Sequence, residues 1–354
     1  VTGVQTCALP ISTGYTGRLV VEEALRRGLR PVLAGRNGEA LEIQAETHDL
    51  ECRVAGLGHP GALDAMLEGA QVVLHCAGPF SRTWHAMSDA CLRTRTHYLD
   101  ITGEIAVFEG LSRRDAEARQ HGIMLLPGTG FDVVPSDCLA AHLARRVPGA
   151  SQLSLAFSAG GGASQGTMRS AVEGLGEPGA VRRGGRIVPV PVAWRTRRVD
   201  FGDGVVRDVT TIPWGDVSTA FHSTGIPDIA VYMSMPPGTR RMLVASRAIA
   251  PLLRTSAARA MARALVARQA PGPSDAIRAR AISRFWGEAV APDGRRAEAR
   301  MTAPSGYTLT AITAVHLAMK ALAGNAPAGF QTPSRAYGAD VILEVPGVVR
   351  TDVA

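Results

Sequence analysis

The feature that most constrains this 354-residue chain is the run Ser12-Thr13-Gly14-Tyr15-Thr16-Gly17-Arg18, which passes directly into Leu19-Val20-Val21-Glu22-Glu23-Ala24-Leu25. Two glycines three residues apart precede an amphipathic run. This is the second half of a G-x-x-G-x-x-G turn that opens a helix. Such a turn lets backbone approach a pyrophosphate, and the helix's unpaired N–H groups and positive dipole end hold the anion. The first glycine of the pattern belongs at position 11, where Ile11 stands. Residues 1–11, V-T-G-V-Q-T-C-A-L-P-I, read as the translation of a common sequencing-library adapter. They are expected to be foreign to the fold, and a leftover T at the junction turns an alanine codon into that of Ser12. On this reading a first strand and a Gly-Ala pair are missing ahead of Thr13-Gly14.

From position 14 to about 150, helix-like and strand-like pieces alternate. Helices are expected over 17–27, 39–47, 60–67, 84–95 and 105–120, and strands over 30–34, 50–54, 71–77, 98–101 and 123–126. Such a βαβ series buries a parallel sheet on both faces. Ligands bind such sheets beyond the carboxyl ends of the strands.

Those strand ends carry the unusual residues. Gly35-Arg36-Asn37 closes the strand at 30–34. An NAD site would place Asp or Glu here for the ribose 2′-OH, whereas Arg36 suits a 2′-phosphate with a permanently charged fork. The cofactor expected is therefore NADP(H), with a surface Arg in an Arg-rich chain as the alternative. Cys76-Ala77-Gly78-Pro79 follows the strand at 71–77, and its small residues let backbone approach a nicotinamide ribose. Cys76 as a nucleophile is set against plain packing, the usual role of a thiol in a buried strand. Thr102-Gly103-Glu104 follows 98–101, with Glu104 favoured by a helix dipole. Asp132, in G-T-G-F-D after 123–126, has no evident structural duty and is a catalytic or cofactor candidate. Ser136 reads as the N-cap of a helix over 137–146.

After position 150 the pattern changes. Residues 152–159 alternate as a half-buried strand, and Ser164-Gln165-Gly166-Thr167 leads to a helix over 168–175. Residues 213–227 hold Trp214, Asp216, Ser218, Thr219, His222 and Thr224 in one polar-aromatic stretch. It reads either as a site wall or as a turn with self-capping hydroxyls. His222 is a candidate general acid. An Arg-studded apolar helix pair spans 239–268, read either as a face for an anionic membrane or acyl carrier or as an ordinary solvated face. A hairpin is expected at 281–302, a helix at 307–323 and a strand near 341–343.

The formal net charge is +7, but Lys320 is the only lysine. The arginines run through the chain with no basic arm and no interleaved aromatics, so nucleic-acid binding is not expected. Cys52, Cys76, Cys91 and Cys138 form no C-x-x-C pair, which fits free thiols in a cytoplasmic setting. No apolar run has the length of a membrane span. Nine histidines show no H-E-x-x-H spacing, so no metal is expected.

T-G-Y-T-G-R (13–18), A-G-R-N (34–37), H-C-A-G-P-F (75–80), Y-L-D-I-T-G-E (98–104) and G-F-D-V-V-P-S-D (130–137) together resemble the saccharopine dehydrogenase-like oxidoreductases. P-W-G-D-V-S-T-A-F-H-S-T-G-I-P (213–227) and T-P-S-R-A-Y-G-A-D (332–340) are similar to the branch that includes trans-acting enoyl reductases of lipid and polyketide assembly. Where the family has Gly-Ala, this chain has Ile11-Ser12. The resemblance implies an α/β chain. A Rossmann-type doubly wound parallel sheet binding NADP(H) occupies 12–150, and a mixed α+β substrate domain occupies 151–354. The branch, the apolar residues of the second half and the lack of a lysine cluster for a dicarboxylate favour an enoyl reductase of a small-molecule, lipid-like acyl substrate. A saccharopine-type C–N dehydrogenase and an NADP-binding protein without turnover stay open. The cofactor-binding residues expected are Thr13, Gly14, Tyr15, Thr16, Gly17, Arg36, Asn37, Cys76, Ala77, Gly78, Pro79, Thr102 and Gly103. The resemblance assigns no proton donor, and Asp132 and His222 are the catalytic candidates on the residues alone.

Overall fold

The structure is a computed structural model that describes residues 7–10 and 13–353; Ile11 and Ser12 lie outside the described residues. Among the described residues sixteen strands fall into two sheets. In chain order they are β1 (Cys7–Pro10), β2 (Val32–Gly35), β3 (Cys52–Val54), β4 (Val72–His75), β5 (His97–Asp100), β6 (Met124–Leu126), β7 (Gln152–Ser158) and β8 (Gly179–Arg183). There follow β9 (Arg186–Val190), β10 (Thr196–Asp200), β11 (Val206–Thr211), β12 (Asp228–Ser234), β13 (Ile282–Val290), β14 (Arg296–Pro304), β15 (Gly329–Phe330) and β16 (Val349–Val353).

The chain divides into two compact units, one of residues 1–132 and 307–336, the other of residues 133–306 and 337–354. The first holds a seven-stranded, all-parallel sheet in the order β15-β6-β5-β4-β1-β2-β3. The order reverses direction between β1 and β4, the switch point of a doubly wound sheet. Val72, Val73, Leu74, Leu99, Leu125 and Leu126 are fully buried, as strands covered by helices on both faces must be. Cys7–Pro10 holds the central position that the sequence reading assigned to a missing strand. Its pairing to β2 and β4 is a backbone property.

The expected boundary at 150 differs from the observed one at 132 for two reasons. The helix Val134–Arg146 packs on β13 and so belongs to the second unit. The chain then returns to the first unit through the helix Gly306–Leu322 and β15, which pairs with the open edge of β6. Asp115 fixes that edge by accepting a hydrogen bond from Phe330 N at 2.8 Å. The single helix expected over 105–120 is two, Ile105–Ser112 and Asp115–His121. Arg114 sits at the break and ties it down through Asp89, Glu117 and Ser88.

The second unit carries a nine-stranded sheet in the order β10-β11-β12-β7-β13-β14-β16, with the β8–β9 hairpin attached through β12. Only β12 and β7 pair in parallel. One face is packed by Ala156, Val199, Phe201, Val209, Tyr232 and Trp286. The helix Val134–Arg146 covers β13 from the other side. It begins at Val134 with Pro135 in its first turn, so Ser136 is inside the helix and is not its N-cap. The buried Ser136 hydroxyl donates to Asp216 Oδ2 at 2.8 Å, and Ser223 donates to Asp137. Residues 213–227 are thus not a turn: they contain the helix Asp216–Thr224, whose buried polar face bonds to its neighbour helix. Residues 341–343 likewise fall in a 3₁₀ turn in which Val341 and Ile342 are buried, and the terminal strand is β16.

Gly287 on β13 marks the closest approach of helix to sheet. A Cβ there would lie 2.7 Å from Leu143 Cδ1 and 3.1 Å from Leu155 Cδ2. Gly287→Ala should therefore overpack the unit and destabilise it by about 1–3 kcal/mol, read by urea denaturation.

Candidate active site

All strands of the first sheet are parallel, so their carboxyl ends and the loops after them lie along one edge. Every expected site residue except His222 lies on those loops or on the helix that opens one of them.

After β1, Thr13 and Gly14 lead into the helix Tyr15–Arg26. Gly14 takes the N-cap position with extended backbone, no side chain caps the helix, and its first turn carries no carboxylate. The positive end of the dipole is therefore not neutralised by an acid of its own turn. Gly17 is buried in that turn. Tyr15 stands edge-on to Tyr307, their ring centroids 5.1 Å apart. After β2, Arg36 is exposed and makes no hydrogen bond or ion pair among the described residues. Asn37 has a local duty, since its side chain accepts from Ala40 N and caps the helix Gly38–His48.

The loop after β4 holds Cys76, Ala77, Gly78 and Pro79. Its course is set from below. Thr83 Oγ1 donates to Ala77 O at 2.7 Å and lies 3.0 Å from His75 Nε2. With its proton given to Ala77, the Thr83 oxygen accepts from His75, which fixes the Nε2–H tautomer. Burial holds His75 neutral by lowering its pKa to about 3. Glu104 ties this loop to the next: its carboxylate accepts from Phe80 N at 2.8 Å and from Ser81 N at 2.9 Å.

The loops after β5 and β6 share one anchor, Asp100, which is wholly buried. Its Oδ1 accepts from Thr102 N and Gly128 N, each at 2.9 Å, and its Oδ2 accepts from Tyr98 Oη at 2.6 Å. Its backbone carbonyl accepts from both the N–H and the hydroxyl of Thr129. Burial pushes its pKa up to about 6, against the three donors that favour the carboxylate. Thr102 is buried, and its hydroxyl accepts from Glu104 N at 3.1 Å.

Gly103 and Asp132 meet. A Cβ at position 103 would lie 2.7 Å from Asp132 Oδ2, so the carboxyl fills the space a side chain would take. Asp132 is half-buried. Its pKa is raised to about 7 by desolvation, with a further push from the Glu104 charge. The helix Gly306–Leu322 holds the backbone on either side of Gly130. Thr310 Oγ1 accepts from Phe131 N at 3.0 Å, and Thr313 donates to Thr129 O at 2.8 Å.

His222 lies on the helix Asp216–Thr224 of the second unit. Asp100, Glu104, His75 and Thr310 shape the loops and were missed by the sequence reading as members of the site. The signal for two of them was D-x-T-G-E, in which acids flank a turn-forming Thr-Gly.

Residues 11–126 match the model of the saccharopine dehydrogenase NADP-binding domain. A trans-acting enoyl reductase of Mycobacterium leprae is 36% identical over 144 residues, covering 38% of this chain and 34% of that protein. A saccharopine dehydrogenase-like oxidoreductase of Rattus norvegicus is 26% identical over 210 residues, covering 51% of this chain and 49% of that protein. The chain thus spans between a third and a half of the length of these relatives. The apo saccharopine dehydrogenase (L-Glu forming) of Saccharomyces cerevisiae shares the fold, with a TM-score of 0.66 over 99% of this chain and 100% of that one, at 11% identity. Residues 11–126 are therefore a saccharopine dehydrogenase-type NADP-binding domain, and the chain is similar to the saccharopine dehydrogenase-like oxidoreductases.

Proposed function

We propose that the chain is an NADP(H)-dependent oxidoreductase that reduces an activated C=C bond, an enoyl group, in a lipid- or polyketide-like acyl substrate. The observation that carries this reading is the raised carboxyl of Asp132 seated against Gly103 on the same sheet edge as the uncapped helix and the unpaired Arg36. The residues fit the cofactor: the opening helix turn bears no acid to repel a pyrophosphate, and the exposed guanidinium has no competing partner. In this proposal Thr13, Gly14, Tyr15, Thr16 and Gly17 hold the pyrophosphate. Arg36 holds the 2′-phosphate, with Asn37 presenting it. Cys76, Ala77, Gly78, Pro79, Thr102 and Gly103 line the path of the nicotinamide ribose. A bound NADPH supplies hydride. Asp132, protonated below about pH 7, gives a proton to the reduced carbon skeleton. His222 is kept as a second candidate donor.

A saccharopine-type C–N dehydrogenase is the second reading. Its substrate carries several carboxylates, and the charge acting on Asp132 is that of Glu104, which repels such a substrate. That favours a neutral acyl chain. A cytoplasmic setting and peripheral contact with a membrane belong to the same proposal. Cys52, Cys76, Cys91 and Cys138 form no disulfide among the described residues.

Arg36→Ala should weaken NADPH binding about 10- to 100-fold while leaving NADH nearly unchanged, as loss of a charge-assisted phosphate contact requires. Calorimetry with both nucleotides checks it; equal losses refute the assignment. NADPH oxidation by a trans-2-enoyl thioester should be flat below about pH 7 and fall tenfold per unit above it. Asp132→Asn should abolish that limb and lower kcat more than KM. A raised carboxyl pKa also means that folding stability is lost as pH rises through about 7. Asp132→Asn should therefore raise Tm more at pH 8 than at pH 5. Cofactor binding with no oxidation on enoyl thioesters or saccharopine would favour a protein without turnover.

A further inference from the structure

Residues 237–280 of the second unit form the helices Pro237–Ser246, Ala250–Leu253, Ser256–Ala267 and Asp275–Arg280 with short links. Within these four helices Val266 is the one buried residue. Seven of the fourteen exposed large apolar side chains among the described residues lie in this segment. They include Met242 at 64%, Leu252 at 62%, Met261 at 66% and Leu265 at 57% exposure.

The helix Ser256–Ala267 is amphipathic in the reverse of the usual sense. Ala257, Ala260, Met261, Ala264 and Leu265, spaced as one helical stripe, are exposed. The arginines Arg259 and Arg263 turn toward the protein instead, onto Glu177 at 2.7 Å and Glu173 at 3.4 Å. An apolar stripe facing outward while charged residues face inward is a surface that expects a cover.

The charge says what covers it. The segment carries nine arginines and one acid, Asp275, a net +8 against +7 for the whole chain. The protein's excess positive charge therefore resides here, and the remainder is close to neutral. Arg240, Arg241, Arg268 and Arg280 are exposed and have no acidic partner among the described residues. A second copy of this chain would set one +8 surface against another. Short helices with outward apolar side chains among unpaired arginines have the composition of an interfacial membrane element. Among the described residues no helix is long and apolar enough to cross a bilayer.

We propose that residues 237–280 are a docking surface for an anionic lipid bilayer, with Met242, Leu252, Met261 and Leu265 entering the acyl boundary and the unpaired arginines meeting lipid phosphates. This deepens the membrane contact of the proposed function, but it rests on exposure and charge and not on the reaction. The test is co-sedimentation of the full chain with vesicles of phosphatidylcholine alone and with phosphatidylglycerol added, with no substrate present. Binding is expected only to the phosphatidylglycerol vesicles and should weaken as salt rises. Arg240→Ala with Arg241→Ala should reduce partition about fivefold per arginine removed. Met261→Asp or Leu265→Asp, at exposed positions that circular dichroism should show still folded, should abolish it. Failure to bind either vesicle, equal binding to both, or insensitivity to these substitutions overturns the proposal. Capture of an acidic carrier protein by a chain that ignores vesicles would assign the surface to a protein instead. NADPH binding measured on the same samples separates any such failure from that of the oxidoreductase reading.

Discussion

The site depends on one buried carboxylate. Asp100 ends β5, and its side chain and carbonyl together accept five hydrogen bonds, from Tyr98, Thr102, Gly128 and two groups of Thr129. Four of these five donors belong to loops, not to the sheet. The ladder between β5 and β6 stops at Leu99 and Leu126, and beyond it nothing regular holds the chain. Asp100 extends the constraint past the last strand pair and fixes two loops by one residue. A buried carboxylate without donors would be costly, and donors in these loops without an acceptor would be orphaned; each side makes the other tolerable.

The loops held in this way bring a second pair of carboxyls to the same edge, and here the environments diverge. Glu104 spends its oxygens on Phe80 N and Ser81 N. Asp132 is desolvated beside Gly103 and feels the Glu104 charge, both of which disfavour its own carboxylate. A desolvated acid beside a like charge is how a protein keeps a carboxyl protonated near neutral pH. The glycine at 103 is part of this: any Cβ would displace the Asp132 carboxyl from its seat.

Much of the first unit was legible because each of its signals is local. Gly14 and Gly17, the Arg36 that follows β2, and the apolar strands with their small-residue ends are read from a few neighbours at a time. The features that were not legible are those made by long-range pairing. β15 has two residues and no pattern of its own, and exists because the edge of β6 is open and Asp115 waits for Phe330. Ser136 has the residue type of an N-cap, but Pro135 starts the helix a turn earlier and Asp216, 80 positions on, takes its hydroxyl. The polar stretch around Asp216 has the composition of a turn because polar density is a surface signal, yet part of it is satisfied inside, where Asp137 and Asp216 are wholly buried and each accepts from a serine of the opposing helix.

A similar blindness applies to charge. A uniform reading of +7 hides a segment at +8, because acids and bases balance almost everywhere else. Balanced regions pair internally: Asp203 is held well below the usual carboxylate range by Arg207, and Asp340 is lowered by Arg350 and Arg145. In residues 237–280 such pairing is available to few arginines, since the segment has one acid and borrows Glu173 and Glu177 from elsewhere. Those two acids neutralise the inward side of the helix Ser256–Ala267, and Glu177 also meets Arg254 just before it. The outward side keeps its apolar stripe and its unpaired neighbours, so the same ion pairs that anchor the helix also decide which face it presents.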